Sequence, residues 1–314
     1  MRKFLFLLAF LGFIGLFFLY RADKLFFASP VPKVYGASDK IKIINDWFPA
    51  SSRDTSDVNL NLTAKAAIVV NYDTRKVLFS LNSSERLPAA STIKIMTALL
   101  ALDNNKLSDK FTVSKKAAEV GEDSMGLSEG ERLSLDDLLY GLLLPSGNDA
   151  AVTIAEGVMG SEDAFTKSMN DKAKQLGLND TKFINASGLD EDSENQYTTA
   201  YDLVTLARYT WNKHKDFRRI ASTYNVYLDA TGTHKAFDLY NATNLLTTYP
   251  GVRGIKPGYT PEAGLCLVTY AENNGVRLIA VILGSNNRKM EMVELLDYAY
   301  KKYGIKVDHP ALGE

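Results

Sequence analysis

Cysteine is nearly missing. Cys266 is the single one in 314 residues, so no internal disulfide can form. Its place in the apolar run Gly264-Leu-Cys-Leu-Val-Thr-Tyr270 reads as a small buried hydrophobe without a redox role. Histidine is almost as scarce: His214, His234 and His309 lie far apart with no cysteine or clustered carboxylate beside them. That argues against a histidine-built metal site, and it means that any nucleophile must find another base. An excess of charge is also missing. The 36 Lys and Arg residues against 37 Asp and Glu leave a net charge of −1, and nothing here drives the counterion release that nucleic-acid binding needs. There is no internal repeat and no low-complexity segment. What remains is a globular composition, 46% apolar, long enough for one large domain or two ordinary ones.

One stretch lacks charge altogether. Phe4 to Tyr20 carries none over seventeen residues, between Arg2-Lys3 and the group Arg21, Asp23, Lys24. This length lies between a signal-peptide core and a spanning helix. No small-x-small cleavage pair follows closely, since Phe26 is too bulky ahead of Ala28 and the Val34/Gly36 pair is distant. Residues 1–24 are therefore expected to be an uncleaved signal anchor, Arg2 and Lys3 inside, holding the rest at the outer face of the cell membrane. A cleaved signal would give a secreted form. Residues 25–58 mix Ser, Pro, Asp and Asn and read as an extracytoplasmic tether, with Trp47-Phe48 as a point where it docks. The folded domain is expected over 59–308 and a short tail over 309–314.

Within that domain Ala66–Asn71 and Lys76–Leu81 form a predicted β-hairpin, and Leu265–Ala271 and Val276–Leu283 a second. Helical spacing marks Ser91 to about Asn104, Leu135–Leu143, Asn148–Met159, Glu162–Leu176, Thr199 to Lys213 and 288–303. Strands at both ends with helices between them predict an α+β fold, its terminal strands meeting in one antiparallel sheet packed against helices, with a mostly helical subdomain inserted.

Three short stretches can carry chemistry. In Ser91-Thr-Ile-Lys94 a lysine stands among Ile93, Ile95, Met96 and Leu99. Lost hydration and the positive end of the helix dipole both lower its pKa, and the i, i+3 spacing sets its amine beside the Ser91 hydroxyl. A neutral amine beside a serine at a helix N-terminus makes a nucleophile with its base, and local backbone N–H groups can bind an oxyanion. In Pro145-Ser146-Gly147-Asn148 a turn and helix cap is the plain reading. The functional one has Ser146 pass a proton to a leaving amine and Asn148 bond both Lys94 and a substrate amide. In Arg253-Gly-Ile-Lys256-Pro-Gly-Tyr259 the Pro-Gly pair signals a type II turn. Alternatively the stretch is an edge strand, with Lys256 lowering the Lys94 pKa further and attracting an anionic substrate.

Taken in order, the three stretches resemble the serine D-alanyl-D-alanine carboxypeptidases, low-molecular-mass penicillin-binding proteins of the β-lactamase and transpeptidase superfamily. The likeness runs from about Asn59 to Tyr303. It includes Leu144 to Ala151, Phe183-Ile-Asn-Ala-Ser-Gly-Leu189 and Tyr197-Thr-Thr-Ala-Tyr-Asp-Leu203. The resemblance implies a β-lactamase/transpeptidase-like fold and an acyl-enzyme route on peptidoglycan stem peptides. Ser91 is the nucleophile, Lys94 the base, Ser146 the proton carrier and Asn148 a bonding partner. Lys256 and Gly258 bind substrate, and the backbone N–H groups of Ser91 and Tyr259 form the oxyanion hole. No cofactor or metal is implied, and β-lactams are expected as covalent inhibitors.

Two positions depart from the family pattern. Pro257 stands where Thr or Ser usually offers a hydroxyl to the substrate carboxylate, and Arg253 stands where many members have an acidic residue, a charge that would partly compensate. A class A β-lactamase would need Glu-x-x-Leu-Asn between the second and third stretches, and residues 148–253 lack it. A D-alanyl endopeptidase acting on cross-links, and a catalytically weak membrane-tethered binder of β-lactams or peptidoglycan, are the alternative readings.

Overall fold

The computed structural model describes residues 47–49, 60–189, 196–243 and 245–309. The expected anchor, most of the tether and the end of the tail lie outside the described residues. Strands β1 (Ala66–Asn71) and β2 (Val77–Leu81) open the domain, followed by a 3-10 turn at Ala90–Ile93 that runs directly into helix α1 (Lys94–Asn104). Then come β3 (Lys110–Thr112), α2 (Lys115–Glu119), β4 (Arg132–Ser134), α3 (Leu135–Leu143), α4 (Asn148–Met159) and α5 (Glu162–Leu176). After them lie α6 (Ala200–Lys213), α7 (Lys215–Ala221), β5 (Asn225–Leu228), β6 (Phe237–Tyr240) and α8 (Leu245–Thr248). The chain closes with β7 (Val252–Thr260), β8 (Gly264–Asn273), β9 (Val276–Ser285) and α9 (Arg288–Lys301).

The predicted hairpins join into one antiparallel sheet of order β2-β1-β9-β8-β7. Its strands alternate between two apolar cores. Ile68 and Val70 of β1 face α1 and the helical subdomain, whereas Ala67 and Val69 face Met292, Leu295, Leu296 and Tyr300 of α9. Burial on both faces is why β1 reads as a continuous apolar run rather than an alternating one. The helices end where their local chemistry says they should. Ser134 and Asp137 make a reciprocal capping box on α3, and Gly177 takes the left-handed conformation that stops α5.

One feature adds to the sequence expectation. Between the terminal hairpins the chain is not wholly helical, because β3 with β4 and β5 with β6 form two small sheets; strands of three or four residues are too short to show a period. Of the two readings of Pro257-Gly258, the structure has the edge strand and not the turn. β7 stays extended through both residues, with Pro257 opposite Leu267. β7 is an edge strand, the place where a proline without an N–H is tolerated.

The predicted docking of the tether is present. The Trp47 ring lies edge-on to Tyr209 at 5.3 Å with the Arg208 guanidinium over it, and Phe48 stacks on Tyr201.

One buried carboxylate organises the loop above the sheet edge. Asp149, on the first turn of α4 and 1% exposed, accepts from the backbone N–H groups of Met125, Gly126, Leu127 and Ala150 and from the Ser124 hydroxyl. Removing it takes the shared acceptor from all five of these donors. Asp149→Ala is expected to destabilise the fold by about 3 kcal/mol and to speed hydrogen exchange at Met125 to Leu127. Exchange at the wild-type rate would mean that other contacts hold this loop.

Candidate active site

Ser91 sits inside the 3-10 turn and Lys94 is the first residue of α1, so the turn sets the spacing between them. Ala90 takes a left-handed φ of 47°, unusual for alanine and a local strain. It is enforced by Gly188, where a Cβ would lie 2.3 Å from the Ala90 carbonyl oxygen. Only a glycine lets the 183–189 segment press against the Ser91 turn.

Lys94 is fully buried. Its Nζ lies 2.8 Å from Ser91 Oγ, 2.7 Å from Asn148 Oδ1 and 2.6 Å from the Ser187 carbonyl oxygen. Asn148 Nδ2 donates to the Gly121 carbonyl, which turns Oδ1 toward the amine. The last two partners accept only. A neutral amine has two N–H groups and one lone pair, so donating to Asn148 and Ser187 leaves the lone pair aimed at the Ser91 hydroxyl. Burial lowers the Lys94 pKa to about 7, against the opposing pull of Asp123, Asp149 and Glu122. The neutral form is thus half populated near neutrality. The sequence expectation that Lys256 depresses Lys94 is corrected here: burial does so, while Lys256 itself is held well below the ordinary lysine value by burial first and by Lys94 second.

Ser146 joins α3 to α4. It is 3% exposed, has a φ of 72°, and its Oγ has no hydrogen-bond partner. A strained residue holding an unsatisfied buried hydroxyl two positions before Asn148 costs stability, and such a cost marks a functional position.

β7 forms the other wall. Lys256 is fully buried and donates to the Pro257 carbonyl at 3.1 Å. Gly258 presses against the Ser91 turn so closely that a Cβ there would lie 3.0 Å from Ser91 N and 3.1 Å from Thr92 N. Tyr259 follows with its side chain exposed.

Sequence reasoning missed Arg288, the first residue of α9, whose Nη1 donates to the Gly258 carbonyl at 2.7 Å. Burial lowers its pKa, and it lies close enough to Lys256 to depress that group. The signal was an arginine at a helix N-terminus, where the dipole disfavours cations. Arg253, expected to compensate for Pro257, is placed elsewhere. It lines a separate cavity at the start of β7, together with Arg218 and Arg277. The Ser187 carbonyl was missed too, since a backbone acceptor leaves no trace in the sequence.

A serine with a buried neutral amine at hydrogen-bond distance, and a second buried lysine on the opposite wall, can carry acyl transfer without a metal. The comparisons agree with that chemistry. The profile of the D-alanyl-D-alanine carboxypeptidase family matches residues 52–287. The D-alanyl-D-alanine carboxypeptidase DacF of Bacillus subtilis is 42% identical over 248 residues, covering 76% of this chain and 63% of that protein. DacC of Escherichia coli is 33% identical, covering 77% and 62%; the chain thus spans less than two thirds of either relative. Among solved structures, the Streptomyces K15 DD-transpeptidase superposes with a TM-score of 0.73 at 28% identity, covering 78% of this chain and 99% of the other. Penicillin-binding protein D2 of Listeria monocytogenes in its ampicillin-bound form gives 0.68 at 31% identity, covering 77% and 100%. With a β-lactamase/transpeptidase-like fold and a profile match over most of its length, the chain belongs to the D-alanyl-D-alanine carboxypeptidase family.

Proposed function

We propose that the chain is a serine-type D-alanyl-D-alanine carboxypeptidase that removes the terminal D-alanine from peptidoglycan stem pentapeptides and is acylated by β-lactams. The observation that carries this reading is the buried Lys94 amine, 2.8 Å from Ser91 Oγ with its two other partners both acceptors. The Ser91 oxygen attacks the carbonyl carbon between the two D-alanines while Lys94 takes the hydroxyl proton. The oxyanion lies between the backbone N–H groups of Ser91 and Tyr259, an arrangement supported by the packing of Gly258 on the Ser91 turn. The C–N bond then breaks and the unpartnered Ser146 hydroxyl relays a proton to the departing amine. Asn148 keeps one N–H for the substrate amide. Water hydrolyses the ester and frees Ser91. The substrate carboxylate rests near Lys256 and Arg288, whose N–H donors offset the hydroxyl that Pro257 lacks. Stem peptides lie outside the cytoplasmic membrane, so the domain acts there, attached through residues 1–24.

The full-length protein in neutral detergent is expected to release D-alanine from a stem pentapeptide and to carry a penicillin adduct at Ser91 by mass spectrometry. Ser91→Ala abolishes both. An adduct without D-alanine release would favour the endopeptidase or binder reading, and cleavage of cross-linked dimers would choose between those two. Acylation requires neutral Lys94, whose pKa is about 7. The rate therefore levels off above that pH and falls by about tenfold per unit below it. Lys94→Ala should remove both the rate and this pH dependence while leaving the fold intact. A variant that acylates normally would remove Lys94 from the mechanism.

Pro257→Thr restores one hydroxyl. It is expected to lower KM by about tenfold for peptides with a free C-terminal carboxylate, the worth of one charge-assisted bond, and to leave their C-terminal amides unchanged. An unchanged KM for both would mean that Arg288 and Lys256 already satisfy the carboxylate.

A further inference from the structure

At the end of the sheet that holds the start of β7, the corner between α6 and α7 encloses a cavity of about 610 Å³. None of Ser91, Lys94, Ser146, Asn148 or Lys256 lines it. Its floor is aromatic. Trp211 stacks on Tyr270 with ring centroids 4.4 Å apart, and Tyr72 stands edge-on to Tyr270 at 5.5 Å.

Its walls are cationic. Lys215, Arg218 and Arg219 come from α7, Arg253 from β7 and Arg277 from β9, against the single carboxylate of Glu272. Two of the five cations are neutralised locally: Arg277 makes a forked pair with Asp73, and Arg219 pairs with Asp136 at 2.5 Å. The other three form no ion pair among the described residues. The Arg218 Nη1 donates only to the carbonyls of Trp211 and Asn212, which fixes its guanidinium at the cavity wall without cancelling its charge. Three uncompensated cations converging on one concave space from two different elements repel one another, an arrangement that an anion relieves.

The chemistry narrows the anion. A carboxylate is planar and suits one guanidinium fork, whereas a phosphate offers oxygens in several directions to donors on separate walls. The volume is within the range of small-molecule sites and leaves room beyond a bare phosphate ion. That room is bounded by aromatic rings suited to C–H groups and by Glu272, whose carboxylate can accept from a hydroxyl. We propose that this cavity binds the phosphate ester of a small polyol, presented free in solution or as a lipid headgroup, at a site separate from the serine centre.

The test uses the full-length protein in neutral detergent at low salt, with isothermal titration calorimetry. The probes are glycerol 3-phosphate, dihexanoyl phosphatidylglycerol and, as control, dihexanoyl phosphatidylcholine. The comparison protein carries Lys215→Gln and Arg253→Gln, two exposed positions whose change leaves penicillin acylation at Ser91 at the wild-type rate. Saturable binding of glycerol 3-phosphate, weakened about tenfold or more in the double variant and by high salt, supports the site with a soluble source. Binding of phosphatidylglycerol alone, lost in the double variant and absent with phosphatidylcholine, supports it with a lipid source. No saturable heat with either phosphate ester, or equal binding by wild type and variant, would overturn the proposal.

Discussion

Placing an amine in an apolar interior without a carboxylate partner is the constraint that the rest of this structure serves. Among the described residues Lys94 Nζ has no salt bridge. Its three partners are a hydroxyl, a side-chain amide oxygen and a backbone carbonyl, none of which would stabilise a full positive charge as an anion does. The acidic groups that act on it, Asp123, Asp149 and Glu122, do so without contact, so they moderate the shift rather than reverse it. A direct carboxylate would raise the pKa and spoil the base. Full exposure would do the same. The compromise needs a loop at Gly121 to Leu127 and a segment at Asn185 to Leu189 held rigidly over the amine, and these are where buried side-chain-to-backbone bonds gather. Asp149 holds the first, and the Asn185 carboxamide, by accepting from Gly188 N–H at 2.8 Å, helps to hold the second.

The two-faced sheet supplies the rigidity. Because β1, β8 and β9 are buried on both sides, β7 is the one cleft-facing strand that must combine an anchored side with an open one. Its anchored side pairs with β8 from Ile255 to Thr260. The glycine at 258 then allows the strand to touch the Ser91 turn, and the same contact explains why the third motif lies so far along the chain from the first. Two parts separated by more than 160 residues become neighbours only once the terminal hairpins join in one sheet.

Much of this was legible in the residues. Lys94 among isoleucines announced a desolvated amine, and the terminal apolar runs announced the sheet, because both signals are local and periodic. Ser91, Lys94 and Asn148 come together as their motif reading requires. Arg288 and the Ser187 carbonyl were not legible. The first reaches Gly258 through tertiary packing of α9, and the second is a main-chain atom that any residue would provide. That Arg253 lines a separate cavity instead of offsetting Pro257 was not legible either: it lies at a bulge between Val252 and Ile255, which no local pattern announces. The small hairpins at β3/β4 and β5/β6 escaped because three or four residues fall below the length at which a period of two can be seen.

The proline at 257 bears on more than carboxylate recognition. An edge strand that must stay accessible to an extended ligand is also accessible to the edge of another copy of the same sheet, which would zip onto it along its whole length. A residue without an N–H in the middle of that edge interrupts any such ladder after a few bonds. A ligand of two or three residues needs no more than that, whereas a second sheet does, so the cleft can remain open at high local concentration without recruiting its neighbours.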